Sequence, residues 1–341
     1  MSRAAIPEPP AVIPSEARDL HLLTSAAAIR SARGAVRDVI PDLGPAGDPG
    51  APLEITLNQS EPPRVVPATV VEDATLRAHR VGGDPVVGFA AFLDGTQKSQ
   101  PFDYVLGVPL VMGTVAAVVR ERRERRMVPW SAGPRVMRRV FAPRSVVGDT
   151  LWSKLTDLGF DPGDTSADSD DPEHPHAVAL RARELVQDDR ESLERELAEE
   201  WVKREDRALF VDGGLRGSDI VAKSANAVGV VKSHRTMYAT GAGLSVVFAL
   251  NAGWRTSVFR VDTGRRAPVL SWYLRLRDNA GRDPFFGLVR VEIAVTDDFS
   301  RANEVSRWIL AEVAPLALPD SRWHNLVYPI RDCEEFLRAI A

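Results

Sequence analysis

Two aspartates in this chain stand in the same local setting. Gly88-Phe-Ala-Ala-Phe-Leu-Asp94-Gly-Thr96 places a carboxylate where an apolar run stops, and Phe210-Val-Asp212-Gly-Gly214 repeats the design. Asp-Gly is a favoured tight-turn dipeptide, so either copy alone reads as a turn. Two copies on either side of a long Glu-rich segment read as a site. Carboxylates brought to one place repel one another unless a cation neutralises them, and their oxygens suit hard divalent ions. The chemistry to expect of such a pair is metal-assisted.

The elements that must position these residues follow from periodicity. Residues 1 to about 60 are rich in Ala and Pro, with one helical stretch over Glu16–Ile40 whose Leu20, Leu23, Ala27 and Ala28 share an apolar face. This part reads as an appendage, suited to dimerisation or partner docking. From Pro85 the pattern changes to short apolar runs at Val86–Leu93, Tyr104–Met112 and Thr114–Val119, punctuated by Gly and Pro, which predict a three-stranded meander. Ala177–Arg204 has few breakers, and Leu180, Leu185, Leu193, Leu197 and Trp201 recur near the helical period. Ala208–Asp212 reads as a buried strand ending in a glycine turn. Further strands are predicted at Val228–Val231, Leu244–Leu250, Val269–Leu276 and Leu288–Val295, and helices at Arg301–Ala314 and Cys333–Ile340. Strand, strand, strand, helix, strand, with an Asp on the first strand and another ending the fourth, predicts an α/β RNase H-like core over residues 85–341. In that mixed sheet, flanked by helices, the two Asp-bearing strands lie side by side.

Composition narrows the class. A chain of 341 residues with 44 % hydrophobic and 26 % charged content can bury an enzyme-sized core. The single Cys333 excludes an intramolecular disulfide and any cysteine-cluster metal site. No apolar run reaches bilayer length and the start lacks a signal-peptide pattern, so a cytoplasmic protein without membrane contact is expected. The net charge of −4 is unevenly spread. Asp161–His176 carries six carboxylates and no Lys or Arg, which suggests a disordered acidic insert. Arg120–Arg144 carries nine arginines against Glu121 and Glu124, either a phosphate-facing surface or a solvated connection between strands. There is no Gly-x-x-x-x-Gly-Lys-Ser/Thr loop, so an ATP-driven motor would have to be another chain. Gly241-Ala-Gly243 lacks the third glycine of a dinucleotide fingerprint.

At the Asp motifs the chain resembles the NurA nuclease family, whose pattern has an Asp-Gly motif near the end of the first core strand and a second before a later Lys-containing strand. Here these are Phe92-Leu-Asp94-Gly-Thr-Gln-Lys-Ser99, Phe210-Val-Asp212-Gly-Gly-Leu215 and Gly229-Val-Val-Lys232-Ser-His234. Ser271–Leu276 and Phe285–Glu292 are similar to the family's C-terminal strands. The likeness runs from Val86 to the end.

The resemblance implies a homodimeric, Mn²⁺-favouring (or Mg²⁺-using) exonuclease or endonuclease. Such an enzyme resects DNA ends while docked on a HerA-type hexameric ATPase translocase, in DNA repair or antiviral defence. It carries metal-ligand roles to Asp94 and Asp212. Among Glu191, Glu194 and Glu196 the family's Leu-Glu-x-x-Leu-Ala context selects Glu194; Glu196 is rotated about 200° away on the helix. The family often ends in an Ala-His pair, where this chain has Glu334, with His324 as a nearby alternative. Two metal ions held by Asp94, Glu194, Asp212 and Glu334 would cleave a phosphodiester, and Lys232 would reach the phosphate. Arg275 and Arg290 would track the DNA backbone. Trp272, Tyr273 and Phe286 would either stack on bases or pack the core. Two other readings are a catalytically silent nucleic-acid-binding scaffold of a HerA-type complex and a nuclease acting on RNA or an RNA–DNA hybrid.

Overall fold

The computed structural model describes residues 26–39, 62–124, 126–166, 174–264, 266–313 and 327–341. In chain order its main elements are helix α1 (Ala26–Val39), strands β1 (Ala91–Val105), β2 (Val108–Arg123) and β3 (Arg135–Ala142), helix α2 (Arg144–Asp157), strand β4 (Asp161–Asp164) and helix α3 (Pro175–Arg204). Strands β5 (Leu209–Asp212), β6 (Ala227–Val231), β7 (Val269–Arg275) and β8 (Leu288–Ala294) follow, then helices α4 (Ser300–Glu312) and α5 (Tyr328–Ile340). The chain divides into two compact units. One comprises Met1–Ile55, Lys98–Thr114 and Val136–Val186; the other comprises Thr56–Gln97, Val115–Arg135 and Gln187–Ala341. β1, β2 and α3 run from one into the other.

Strand pairing follows the order β7-β8-β6-β5-β1-β2-β3-β4 within a mixed sheet of thirteen strands among the described residues. β5 lies parallel to both β1 and β6, with Leu93 opposite Val211 and Val230 opposite Asp212. β8 runs antiparallel to β6 and to β7. Parallel neighbours need a long crossover, and α3 supplies it between β1 and β5. This is the RNase H-like arrangement that the element order predicts, with the two Asp-bearing strands adjacent. Strands buried on both faces read as continuous apolar runs, which accounts for Ala-Phe-Leu in β1 and Leu-Phe-Val in β5.

In the larger unit, Phe89, Phe92 and Phe210 form an aromatic cluster with ring centroids 5.3–5.8 Å apart. Trp308 of α4 meets Phe89 edge-on at 5.5 Å. The apolar face of α3 continues through Leu193, Leu197 and Trp201, all buried, and Trp201 meets Trp130 at 5.2 Å. In the other unit, Phe102, Val105, Leu110, Met112, Val140 and Ala142 of the strands pack with Val147, Leu151 and Leu155 of α2.

Several expectations change on contact with this structure. The three expected runs resolve into two long strands: β1 extends to Val105, the chain turns at Leu106-Gly107 inside the expected run Tyr104–Met112, and β2 runs on from Val108 through Gly113 to Arg123, since Gly113 is not a break. A Cβ there would come within 2.4 Å of Val186 and 2.7 Å of Phe141, so close packing demands glycine inside a continuous strand. The described part of the N-terminal helix, α1, buries Ala32 and Val36 in a core instead of standing apart. Leu244–Leu250 was expected as a strand; Ala242–Phe248 is a helix, since a short apolar run carries no decisive period. Asp161–Asp164, at the start of the expected acidic insert, pairs in parallel with β3, and Arg139 holds Asp161 at 2.9 Å. Pro175 and His176 open α3, while residues 167–173 lie outside the described set. No helix among the described residues is long and apolar enough to cross a membrane.

The arginine run is divided among structural tasks. Arg120 binds Asp332 of α5 at 2.8 Å and lies over the Phe336 ring, and Arg122 binds Glu312 of α4 at 2.6 Å. Neither is available to a phosphate. Removing the fully buried Phe210 ring opens a cavity between β5 and its neighbours. Phe210→Ala is expected to cost about 3–5 kcal/mol, read as a lower urea midpoint; an unchanged midpoint would mean that this ring bears no packing load.

Candidate active site

Parallel pairing sets Asp94 and Asp212 at matching heights, one residue beyond the Leu93–Val211 pair. The chain behaves differently after each. β1 continues to Val105, so Asp94-Gly95 is not a turn. Gly95 leaves room for Glu194: a Cβ there would lie 2.2 Å from its Oε1 and would push that carboxylate aside. That clash measures how closely α3 lays its Glu194 carboxylate over β1. After Asp212 the strand does end: Gly213 takes φ 135°, a conformation side chains disfavour, and its N–H donates to Val230 O at 3.0 Å.

The other expected residues arrive from three further elements. Lys232, just past β6, donates to Oδ2 of Asp212 at 2.7 Å. Arg190 pairs with Glu194 one helical turn later and donates to Gln97 at 2.8 Å. Glu334 comes from α5, where Arg338 faces it at 3.7 Å, and its charge acts on Asp94. The preceding Cys333 is fully buried and lies 3.5 Å from the Phe92 carbonyl, which locates α5 against β1. Four of the five residues expected to do chemistry are thus carboxylates in one place, faced by Lys232 and Arg190.

Electrostatics records the crowding. Burial pushes the Asp94 carboxyl well above its ordinary range, the charge of Asp212 pushes it further, Lys232 opposes, and Glu194 and Glu334 add to the rise. Glu194 is raised to about 7, mainly by burial; Arg190 opposes the shift while Asp212 and Glu191 add to it. Asp94 is only 7 % exposed. Its Oδ1 accepts the Gly95 N–H at 2.8 Å, but its Oδ2 is buried with no hydrogen-bond partner. A buried carboxylate oxygen without a donor is costly, and a divalent cation is the partner that this all-oxygen donor set suits. Asp94, Asp212, Glu194 and Glu334 supply the oxygen donors such an ion takes, although no three of them bring ligand atoms within 4.8 Å of one another as placed here, so binding would need their side chains to draw closer.

Other expected residues are placed elsewhere. Arg275 does not face DNA: it is fully buried, and its guanidinium is consumed by the carbonyls of Leu250, Pro284 and Phe286 at 2.6–3.3 Å. A long cation can serve as an internal staple for irregular backbone, and sequence does not separate that use from a surface one. Arg290 is half-buried, bound to Glu292 and lying 5.2 Å over the Tyr238 ring. Glu191 stays at the exposed edge, and Glu196 pairs with Arg135 on another face of α3. Trp272 and Tyr273 are fully buried core residues, while Phe286 is half-buried. His324 lies outside the described residues.

Sequence reading did not single out Arg190, the buried Glu292 that accepts the Leu215 N–H at 2.8 Å, or a second cluster. Glu72, Asp73 and His79 bring ligand atoms within 4.8 Å of one another, close enough to hold a metal ion. There, however, Arg255 grips Glu72 through two bonds of 2.7 Å and Ser257 donates to Asp73 at 2.6 Å. Those carboxylates already have partners, whereas Asp94 Oδ2 has none.

No family model and no curated protein matches the chain. Among solved structures it is similar to the crystal structure of the NurA nuclease from Sulfolobus solfataricus, with 12 % sequence identity, a TM-score of 0.43, and coverage of 95 % of this chain and 92 % of that one. What the site does has to follow from its own side chains.

Proposed function

We propose that this chain is a metal-dependent nuclease that cuts phosphodiester bonds at DNA ends. The observation that carries the reading is the buried, donorless Oδ2 of Asp94, which feels the charges of Asp212, Glu194 and Glu334. Asp94, Asp212, Glu194 and Glu334 would hold one or two Mn²⁺ or Mg²⁺ ions. Bound there, such ions supply an activated water and neutralise charge on the attacked phosphate and the leaving oxygen. The chain's own task is placement. β1 and β5 fix two ligands through backbone register, α3 lowers Glu194 onto Gly95, and α5 brings Glu334. Lys232, held beside Asp212, is a compact point charge within one side chain of the cluster and suits an adjacent phosphate oxygen. Glu334, whose charge acts on Asp94, is itself an oxygen donor, so the departure from the family's histidine is compatible with metal binding and supports the reading of an active enzyme over a silent scaffold.

The motif resemblance extends this reading to a homodimer that works with a HerA-type translocase in DNA repair or antiviral defence. Copurification and ATPase stimulation with such a motor would test that extension.

End-labelled single- and double-stranded DNA should be degraded with Mn²⁺ or Mg²⁺ and spared in EDTA. Asp94→Asn and Asp212→Asn should each lower the rate by about a thousandfold, the scale of a lost transition-state charge interaction. Cleavage that survives both substitutions would put the active site elsewhere; equal cleavage of RNA would move the substrate class.

Proton linkage gives an independent check. Because Glu194 titrates near 7 when folded and near 4.5 otherwise, the folded chain binds more protons between those values. Its contribution to stability is therefore full below pH 4.5 and is lost as pH rises through 7, on the order of 3 kcal/mol. Melting of the metal-free protein should fall across that window, Glu194→Gln should flatten the fall, and Mn²⁺ at pH 7.5 should reverse it. A flat profile in EDTA for the wild type would refute the crowded, charged cluster.

A further inference from the structure

Asp212 is followed at once by a loop that folds back onto the sheet, and backbone enclosed in this way needs partners for its N–H groups. β5 ends at Asp212, and the Gly213 N–H still reaches Val230 O at 3.0 Å. Two residues on, Leu215 is only 2 % exposed, and its N–H donates to Oε2 of Glu292 at 2.8 Å. Glu292 stands on β8, across β6 from the loop's own strand, and is itself buried. Its Oε1 is bound to Arg290 of the same strand.

Glycines make room for this contact. Gly229 of β6 lies opposite Glu292, and a Cβ there would come within 2.7 Å of Gly213 O and 3.0 Å of the Leu215 side chain. At Gly214 a Cβ would lie 3.0 Å from Oε2 of Glu292. The loop is thus pressed onto the face of β6 and β8. Further along, Ser218 Oγ donates to Glu199 of α3 at 2.6 Å, which ties the same loop to the helix that carries Glu194.

A buried glutamate beside an acidic site can be a further ligand or a support. Both oxygens of Glu292 are occupied, one by a main-chain N–H and one by a guanidinium, which favours support. A carboxylate accepts an N–H more strongly than a neutral group does, so the hold is stiff.

We propose that Glu292 is a positioning residue: through the Leu215 N–H it holds residues 213–215 down and so fixes the backbone from which the Asp212 carboxylate projects. Arg290, expected to track DNA, is the counter-ion that balances this buried charge. The consequence for metal binding rests on the nuclease reading; the hold on the loop does not.

Amide hydrogen exchange of the full chain in EDTA, resolved to single residues, tests the hold. Gly213 and Leu215 should exchange slowly in the wild type. Arg290→Met combined with Glu292→Leu removes the acceptor without stranding a charge, and exchange at both amides should then rise about tenfold or more while those between β7 and β8 stay as they were. Glu292→Gln keeps an acceptor and should remain within about threefold of the wild type. Calorimetric titration with Mn²⁺ tests the consequence: affinity should fall about tenfold or more in the double variant and largely recover in Glu292→Gln. A Leu215 amide that exchanges freely in the wild type, or exchange unchanged in the double variant, would overturn the proposal. Loosened amides with unchanged Mn²⁺ affinity would overturn the link to Asp212. Absence of Mn²⁺ binding in the wild type would instead count against the nuclease reading, with the exchange rates still deciding whether Glu292 holds the loop.

Discussion

Asp94 and Asp212 face each other because β1 and β5 are hydrogen-bonded in register, so their repulsion is written into the backbone and cannot be relieved by a rotamer change alone. Much of the surrounding structure answers that constraint. Lys232 is held against Asp212, Arg190 against Glu194, and the Glu194 carboxylate keeps its place over β1 because Gly95 has no side chain. Two nearby cations do not neutralise four carboxylates in a poorly hydrated place, and one oxygen of Asp94 is left without a donor. The apolar interior beneath, with Phe89, Phe92 and Phe210 in mutual contact, keeps the strands from shifting to dilute the charge. Crowding of this kind holds an electrostatic cost in the folded backbone.

The C-terminal helices are fixed by the same economy of charge. Arg120 and Arg122 extend from β2 to Asp332 on α5 and Glu312 on α4. Pairs this enclosed contribute little net stability against their desolvation, but breaking one leaves an uncompensated charge, so they set position more than they add strength. Asp332 is two residues from Glu334, and Cys333 between them rests on the Phe92 carbonyl. A run of arginines that looks like a phosphate-binding strip is in this way used partly to fix the helix that carries Glu334.

The sequence by itself determined the sheet's inner strands, the long helix between them and the two aspartates that those strands set side by side, because hydrophobic period and Asp-Gly punctuation are local properties. Glu194 was singled out among three helical glutamates through its motif context, and helical rotation set Glu196 on another face. Tertiary structure alone decided what the glycines and arginines are for. Gly95 and Gly113 lie against side chains distant in sequence, and Arg275 became an internal staple because carbonyls of two other segments surround it. Asp161–Asp164 became a strand through the parallel edge of β3 and an arginine there, neither of which composition can register. The apolar run near Leu244 became a helix, since a run that short fits either period until its neighbours choose. Which charge meets which partner depends on through-space distance, and only the folded chain sets that distance.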